Sequence, residues 1–518
     1  MPDAFREART DYAAARPSRF RRRRSGVPSS GAGYDYHIRT DRDLVALIED
    51  ARELDRNDRN VGYIVDRAVT NVVQSGFRLD VDTGDAKLDA DLKARWREWA
   101  DEPLACDVAG ERTFSDFESA TWRATIVDGD HVVLGTSDNR LQSIEAHRIR
   151  SPHRTKRNVV HGVLLNEFRQ RLEYWIAPDT IEAHKQILVR DLQQRRTFAE
   201  SEELGRPVRQ VFHVHNAKRT SATRGVTAFA PMFDVTGMLS DIQFAELVRR
   251  QVIACFAVFR EQEAREGIHT PRGKAGERGE VTTERLPDGG VRILEGIAPG
   301  MEIRGEPGEK LAGFSPDVPG ESYFPFVREQ LAAISLNLGL PLIVAMLDAS
   351  ETNFSGWRGA VDQARLGFRQ SQQRLIRRFH RPVWTWWLAQ QLRSDRALQL
   401  AASRGDVNIL RHSWTPPSWP YIEPLKDAQA DSHRLEHRLT SPRRLHKERG
   451  VDYPELVREI VDDNAAMVAA AMEKAAELRG RYPDAELDWR ELLEPRGRQM
   501  LPADNSDEEM TRADDATD

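Results

Sequence analysis

Leu338-Gly-Leu-Pro-Leu-Ile-Val-Ala-Met-Leu347 is followed, after five residues, by Asn353-Phe-Ser-Gly-Trp-Arg358. In a chain of mean hydropathy −0.60, one of the longest apolar runs thus ends at a small polar segment that contains glycine. An arginine-rich helical pattern begins directly after it. Phe324, Val327, Leu331, Ile334 and Leu338 recur at helical spacing before the run, which predicts a helix over 321–338. Glycine and proline then interrupt it, predicting a loop over 340–356 and a long helix over about 357–393. A loop held between two long helices can face a passage, and no catalytic motif adjoins this one.

The 518 residues suffice for two to four domains. Charged residues make up 31% and hydrophobic ones 40%, so the chain has a core but keeps much surface for water or for partners. A net charge of −6 excludes an argument for polyanion binding from the total, and the distribution says more. Residues 1–24 hold eight arginines against three acids, whereas 503–518 hold seven acids and Arg512. Such charge density without apolar residues predicts solvated arms at 1–35 and 501–518. Cys106 and Cys255 give neither a disulfide framework nor a metal pair and suit a reducing compartment. No apolar run reaches the length of a bilayer span, and the basic N-terminus lacks an apolar secretory core. The expectation is a soluble, cytoplasmic protein with no membrane contact and no cofactor.

Helical spacing covers 41–55, 59–75, 88–100 and 114–127, with Gly76 as the stop of the second helix. The period then changes. Asp128-Gly129 signals a turn, and strands are expected at His131–Leu134, Leu141–Ile144, Val159–Leu165, Leu172–Ile176 and Val208–Val214. Residues 226–262 return to helix, with Phe233, Leu239, Ile242, Ala245, Leu247, Val252 and Phe256 at core spacing. The Gly- and Pro-rich stretch 265–320 reads as a small β-rich insert between helices. Beyond the Pro/Trp segment 414–421, helices are expected at 424–439, 441–449 and 453–479. The fold class is α+β.

Several patterns hint at chemistry. His433-Arg-Leu-Glu-His437 matches the inverted zinc-protease signature, with His433 and His437 as ligands at i and i+4 and Glu436 as general base. But Asp431, Arg434 and Arg438 surround it with few apolar residues, which reads as a solvated helix face. His213-Val-His215 puts two imidazoles on one strand face without a third ligand, and Asp128-Gly-Asp130 serves a hairpin as readily as calcium. Gly267-Ile-His-Thr-Pro-Arg-Gly-Lys274 has five residues between its glycines where a phosphate loop has four, and Ala275 where a magnesium ligand belongs, which excludes ATP binding there. Arg358, Arg365, Arg369, Arg374, Arg377, Arg378 and Arg381 crowd one helix against Asp362 alone. They form either a phosphate-following face or a solvated one. Trp384, Trp386 and Trp387 read as a packing anchor. The arginine arm at 16–24 is a separate candidate for nucleic-acid binding.

Asn71-Val-Val-Gln-Ser-Gly76, Asp128-Gly-Asp-His-Val132, Leu141-Gln-Ser-Ile-Glu145, Arg224-Gly-Val226, Leu338-Gly-Leu-Pro341, Asn353-Phe-Ser-Gly-Trp-Arg358, Trp419-Pro-Tyr-Ile-Glu-Pro-Leu-Lys426 and the segment from Ser441 to Asp452 follow one another in a familiar order. In these segments the chain resembles the lambda-type tailed-phage portal proteins over roughly residues 40–480. It departs from them in Gln74, where the family tends to have glycine, and in Arg219 to Thr223, which lacks the usual Pro-Gly-Gln.

The resemblance implies a non-enzymatic ring subunit, typically one of twelve, at one capsid vertex. Double-stranded DNA passes through the ring non-specifically. Its implied partners are the terminase large subunit, a head-completion or adaptor protein, and the major capsid or scaffold protein. It implies an α/β wing at 36–225 after a basic arm (1–35), stem helices at 226–262 and 321–339, a β-rich clip at 263–320 and a tunnel loop at 340–356. A radial helix at 357–394, a wing/crown connection at 395–439, a helical crown at 440–500 and an acidic tail at 501–518 follow. Phosphate affinity grows with the number of cations along a wall, so a conduit needs few of them. Ser350, Thr352, Asn353 and Ser355 are accordingly the expected residues nearest DNA, with Arg358 and Arg365 behind them. The rival reading is a zinc metallopeptidase using His433, Glu436 and His437.

Overall fold

The structure is a computed structural model describing residues 41–153, 157–180, 191–255, 258–260, 281–285, 291–295, 302–304, 323–348, 353–419, 423–482, 488–490 and 492–493. Both expected arms, the Gly267–Lys274 segment, Ser350 and Thr352 lie outside these residues. The chain divides into two units, Met1–Pro417 and Ser418–Asp518.

The first unit opens with two helices, α1 (Asp41–Asn57) and α2 (Arg59–Val73). Leu44, Leu47, Ile48 and Ala51 of α1 are buried at the expected spacing. Asp58 caps α2 by accepting from the N–H groups of Asn60 and Val61. The stop of α2 is Gln74 rather than Gly76: Gln74 has φ +48, and Gly76 (φ +94) completes the turn. Only glycine takes a positive φ without steric cost, so this chain carries strain at the position where the resembling family tends to have glycine. Next come β1 (Arg78–Val81), α3 (Ala86–Asp101), α4 (Pro103–Cys106) and α5 (Phe114–Val127). The bounds of α5 are those expected, set by a reciprocal capping box between Thr113 and Asp116.

A β region follows: β2 (Asp130–Gly135), β3 (Leu141–Ile144), β4 (Val159–Val160), β5 (Val163–Leu165), β6 (Arg171–Ile176), β7 (Gln193–Arg196), β8 (Phe198–Ser201), β9 (Arg206–Arg209) and β10 (Val211–His215). They form a β10-β2-β3 sheet, a β4-β5-β6-β7 sheet and a β8-β9 hairpin. Val132, Leu134, Ile144, Val163, Tyr174, Ile176 and Val211 close into one core. Two expected strands are each split. His161 and Gly162, both at positive φ, turn the chain inside 159–165, and the ladder breaks at Gln210 inside 208–214.

The next helix, α6 (Phe233–Cys255), is shorter than expected, and strand β11 (Val258–Arg260) occupies the last positions assigned to it. Within the insert, β12 (Val281–Arg285) and β13 (Val291–Glu295) form an antiparallel pair, and β14 (Glu302–Arg304) runs parallel to β11. On α6 the periodicity expects burial that the single chain does not provide. Leu239 is buried, but Ile242, Phe244 and Leu247 are exposed.

Helix α7 (Tyr323–Asn337) and the five-residue α8 (Leu342–Met346) precede α9 (Phe354–Leu375), so the expected loop holds a helix of its own. The long helix continues through a π turn at Ile376–His380 into α10 (Arg381–Ser394). Pro382 explains the π turn: in a regular helix its ring would meet the carbonyl four residues back. There the Arg381 N–H reaches the Ile376 carbonyl instead, five residues back. Trp384, Trp386 and Trp387 are buried as the expected packing anchor. Trp96 meets Trp384, Trp387 and Trp414 at centroid distances of 5.6, 5.3 and 5.5 Å. The fit is close, since a Cβ on Gly135 would lie 2.4 Å from Trp386. After α11 (Arg396–Ala402), β15 (His412–Thr415) pairs with β1, so Arg78 faces Thr415.

The second unit is helical: α12 (Pro424–Glu436), α13 (Pro442–Glu448) and α14 (Tyr453–Arg481). The last has 29 residues, of which only Ala471 and Ala475 are buried. No described helix is long and apolar enough to cross a membrane.

Candidate functional site

The segment between α7 and α9 is built on a sharp corner. Gly339 takes φ +74. The N–H of Leu340 reaches the Ser335 carbonyl at 3.0 Å, and that of Gly339 reaches the Leu336 carbonyl at 2.9 Å. This is the Schellman arrangement that ends a helix at a left-handed glycine. Pro341 then starts α8 from an extended conformation. Leu338-Gly-Leu-Pro341 is therefore a stop, a turn and a restart. Leu340 and Ala345 are fully buried and anchor the base of the segment. Beyond them Met346, Leu347 and Phe354 are exposed, and Leu347 ends α8 at φ +53.

Asn353 is the N-cap of α9, its side-chain oxygen accepting from the Gly356 N–H at 2.7 Å. Helix therefore begins three residues earlier than expected, and Ser355 sits in its first turn, not in a loop. Both residues are exposed. Ser355, Arg358, Asp362 and Arg365 follow one another at three- and four-residue steps along α9, which places them on one face. Arg358 and Arg365 are half-buried, and Arg365 lies 3.5 Å from Asp362.

Asp128-Gly-Asp130 and Arg224-Gly-Val226 prove to be halves of one joint. Arg224, wholly buried, donates to both carboxylate oxygens of buried Asp130, the Nη2–Oδ1 bond measuring 2.9 Å. Its remaining N–H groups reach the carbonyls of Ala146, Ile149 and His161 at 2.8, 3.2 and 3.1 Å. The chains cross so closely that a Cβ on Gly225 would lie 1.8 Å from the Gly129 carbonyl oxygen. His213 Nε2–H donates to Asp130 at 3.0 Å, and its Nδ1 accepts from Tyr174 at 3.1 Å. Burial works to raise the Asp130 pKa, but the charge and hydrogen bonds of Arg224, with His213, outweigh it and hold the carboxyl far below its usual range. Asp128 pairs with Arg52. Neither acid is free for calcium, and the described residues contain no metal-binding cluster. The sequence showed both motifs but gave no sign of their pairing, because partners 94 residues apart leave no local pattern.

Burial lowers the pKa of His131 and of His213 to about 4, partly opposed by Asp130 in each case, and His215 shifts the same way. Unfolded, these rings take a proton near pH 6.5. Between these values the unfolded chain binds more protons, so their contribution is complete above about pH 6.5 and is lost as pH falls towards 4. The expected loss reaches about 1.4 kcal/mol per pH unit for each ring. Denaturant unfolding at pH 7 and pH 5 measures it, and a flat profile would contradict neutral buried rings.

The zinc candidates come out as surface. His433 and Glu436 are 72% and 68% exposed, 3.6 Å apart, and His437 caps the end of α12. No third ligand joins them among the described residues. Glu436→Ala should leave proteolysis at background, and bound zinc should be substoichiometric by elemental analysis. Stoichiometric zinc lost on substituting His433 would reverse this.

A model of the family described as phage portal protein, lambda family, matches residues 20–372. The chain belongs to that family. It is also similar to chains in three solved assemblies. They are the neck of a native GTA particle computed with C12 symmetry (TM-score 0.40, 13% identity, 81% of this chain and 96% of that chain), the neck of an empty GTA particle computed with C6 symmetry (0.39, 12%, 79% and 94%), and the virion of a native gene transfer agent (0.37, 13%, 79% and 93%). As a portal protein it has a structural role: identical copies form a ring at one capsid vertex of the virion, through which DNA enters and leaves. The family match ends before Trp419 and Ser441, so the resembling segments beyond residue 372 stand outside it.

Proposed function

We propose that the segment 340–356 lines the narrowest part of the portal channel, with Asn353, Ser355, Ser350 and Thr352 nearest the DNA and Arg358 and Arg365 behind them. One observation carries this reading: Leu340 and Ala345 pin the base of a corner whose farther residues, Met346, Leu347 and Phe354, remain exposed. A low cation density at the tip suits passage, since each phosphate contact adds affinity that translocation must break. Around it, residues 36–225 form the wing, α6 and α7 the stem, the insert 263–320 the clip, α9 to α10 the radial helix and 440–500 the crown. The ring closes at twelve copies, the family's usual number, through head-to-tail contacts. The clip receives the terminase large subunit and later a head-completion protein. The portal itself is not an enzyme, and the motor supplies the ATPase.

Asn353→Lys with Ser355→Lys tests the channel assignment. Rings should still assemble, whereas in vitro packaging should slow several-fold and recover with added salt, as a phosphate-gripping wall requires. Unchanged packaging, with a ring image placing residue 353 on the outer rim, would end the assignment.

A further inference from the structure

Apart from the channel segment, a cleft of about 360 Å³ opens in the β region of the first unit. Arg169, Arg171, Lys218, Arg219, Arg378 and His215 line it, and no carboxylate is among its lining residues. Three separate parts of the fold supply them. Arg169 comes from the β5–β6 turn and Arg171 from the start of β6, His215, Lys218 and Arg219 from the end of β10 and the loop after it, and Arg378 from the π turn.

Hydrogen-bond chemistry shows what the cleft lacks. Arg171 Nη2 lies 3.1 Å from His215 Nε2 and donates to the Thr223 carbonyl at 2.9 Å, and Arg378 Nη1 lies 3.0 Å from His215 Nδ1 and 3.3 Å from Nε2. Burial first, then His213, Arg171 and Arg378, keep His215 neutral. A neutral imidazole has one acceptor nitrogen and one N–H, so two guanidinium groups converge on a ring that can accept at a single nitrogen. The Nε of Arg171 is buried with no partner. Arg378 is pushed down from its usual pKa by burial and then by Arg171, Arg374 and Arg209. Arg169 donates to the Ser221 carbonyl and the Thr223 hydroxyl, so the neutral acceptors at hand are already engaged, and the site combines positive charge with a buried unpartnered N–H and no negative charge in its lining.

An oxyanion supplies both missing elements, and the forked guanidinium matches phosphate geometry. We propose that this cleft is a phosphate-binding site, taking either free inorganic phosphate or a phosphodiester of the DNA that the portal passes. Arg171 and Arg378 grip the oxygens, and Lys218 on the exposed rim adds charge. The proposal does not depend on which residues line the channel.

The full-length protein is titrated with inorganic phosphate, and separately with a short duplex oligonucleotide, at fixed ionic strength in phosphate-free buffer. Thermal midpoint and phosphorus-31 line width are the readouts. Wild type should show saturable phosphate binding. Arg171→Gln and Arg378→Gln should each weaken it about tenfold or more, the scale of one charge-assisted hydrogen bond. Arg377→Gln, on the exposed side of the same turn, should not. If the half-buried variants fail to fold, the exposed Lys218→Gln takes their place, with a smaller weakening expected. Displacement of phosphate by the duplex identifies the DNA backbone as the source, and saturation by inorganic phosphate alone identifies the free anion. Non-saturable binding by wild type, or equal binding by every variant, overturns the proposal. So does loss of rings in Arg378→Gln with no effect of phosphate on any form, since a carboxylate of the neighbouring copy would then fill the cleft.

Discussion

Arg224→Met should lower the unfolding free energy of the chain by about 3–5 kcal/mol, the typical cost of leaving one partner of a buried ion pair uncompensated. Asp130 would remain among the Ala146, Ile149 and His161 carbonyls with only His213 and the Gly225 N–H to stabilise it. Total domain stabilities are about 5–15 kcal/mol, so much of the variant should be insoluble at 37 °C. Denaturant midpoints at pH 7 measure the loss. Adding Asp130→Leu should recover part of it, because removing both charges is cheaper than removing one. If the single and double variants are equally destabilised, the loss comes from packing rather than from the orphaned carboxylate. Arg224→Lys should fall between, as an ammonium cannot bridge both carboxylate oxygens and three carbonyls.

The second large effect concerns assembly. Phe244 and Leu247 on α6 are 68% and 60% exposed in the single chain, and Phe324 on α7 is 62% exposed. Phe244→Asp with Leu247→Asp should leave the unfolding midpoint of the isolated chain nearly unchanged, because neither side chain supports its core. Ring formation should be lost. Burying each apolar side chain at a subunit contact is worth about 1.5–3 kcal/mol, and a carboxylate in its place has a desolvation cost of several kcal/mol. Every interface in the ring repeats that change. Mass photometry should show rings for wild type and single chains for the variant. Rings that persist would place this face away from neighbouring copies.

These residues also show where reading the sequence succeeds and where it stops. The helix at 114–127 was legible to the residue because Thr113 and Asp116 punctuate it locally, and Leu141–Ile144 was equally clear. On α6 the spacing of Ile242 and Leu247 predicts burial, yet both are exposed in the single chain, because periodicity marks an apolar face without saying what covers it. β1 and β15 were missed: Arg-Leu-Asp-Val and His-Ser-Trp-Thr are four residues long, each strand has its partner more than 300 positions away, and neither has a strong local β signal. The spacing predicts one loop over 340–356, where the structure has the helix Leu342–Met346, because apolar content alone does not separate a five-residue helix from an extended run. The Asp130–Arg224 joint was visible only as two motifs, each with a glycine beside a charge. Gly129 and Gly225 lie where the two backbones cross too closely for a side chain on either, a role that neither motif shows by itself.

The pairing of Arg78–Val81 with His412–Thr415 sets a schedule for synthesis. A ribosome adds about 5–20 residues per second, so the first strand emerges tens of seconds before its partner. Gln372 likewise reaches back to the Val72 carbonyl, and His380 to Glu118. Over that interval the tryptophans at 96 and 99 have no tryptophans at 384, 386 and 387 to cover them. Truncated nascent chains ending before residue 380 should therefore associate with chaperones, whereas release beyond residue 417 should free them.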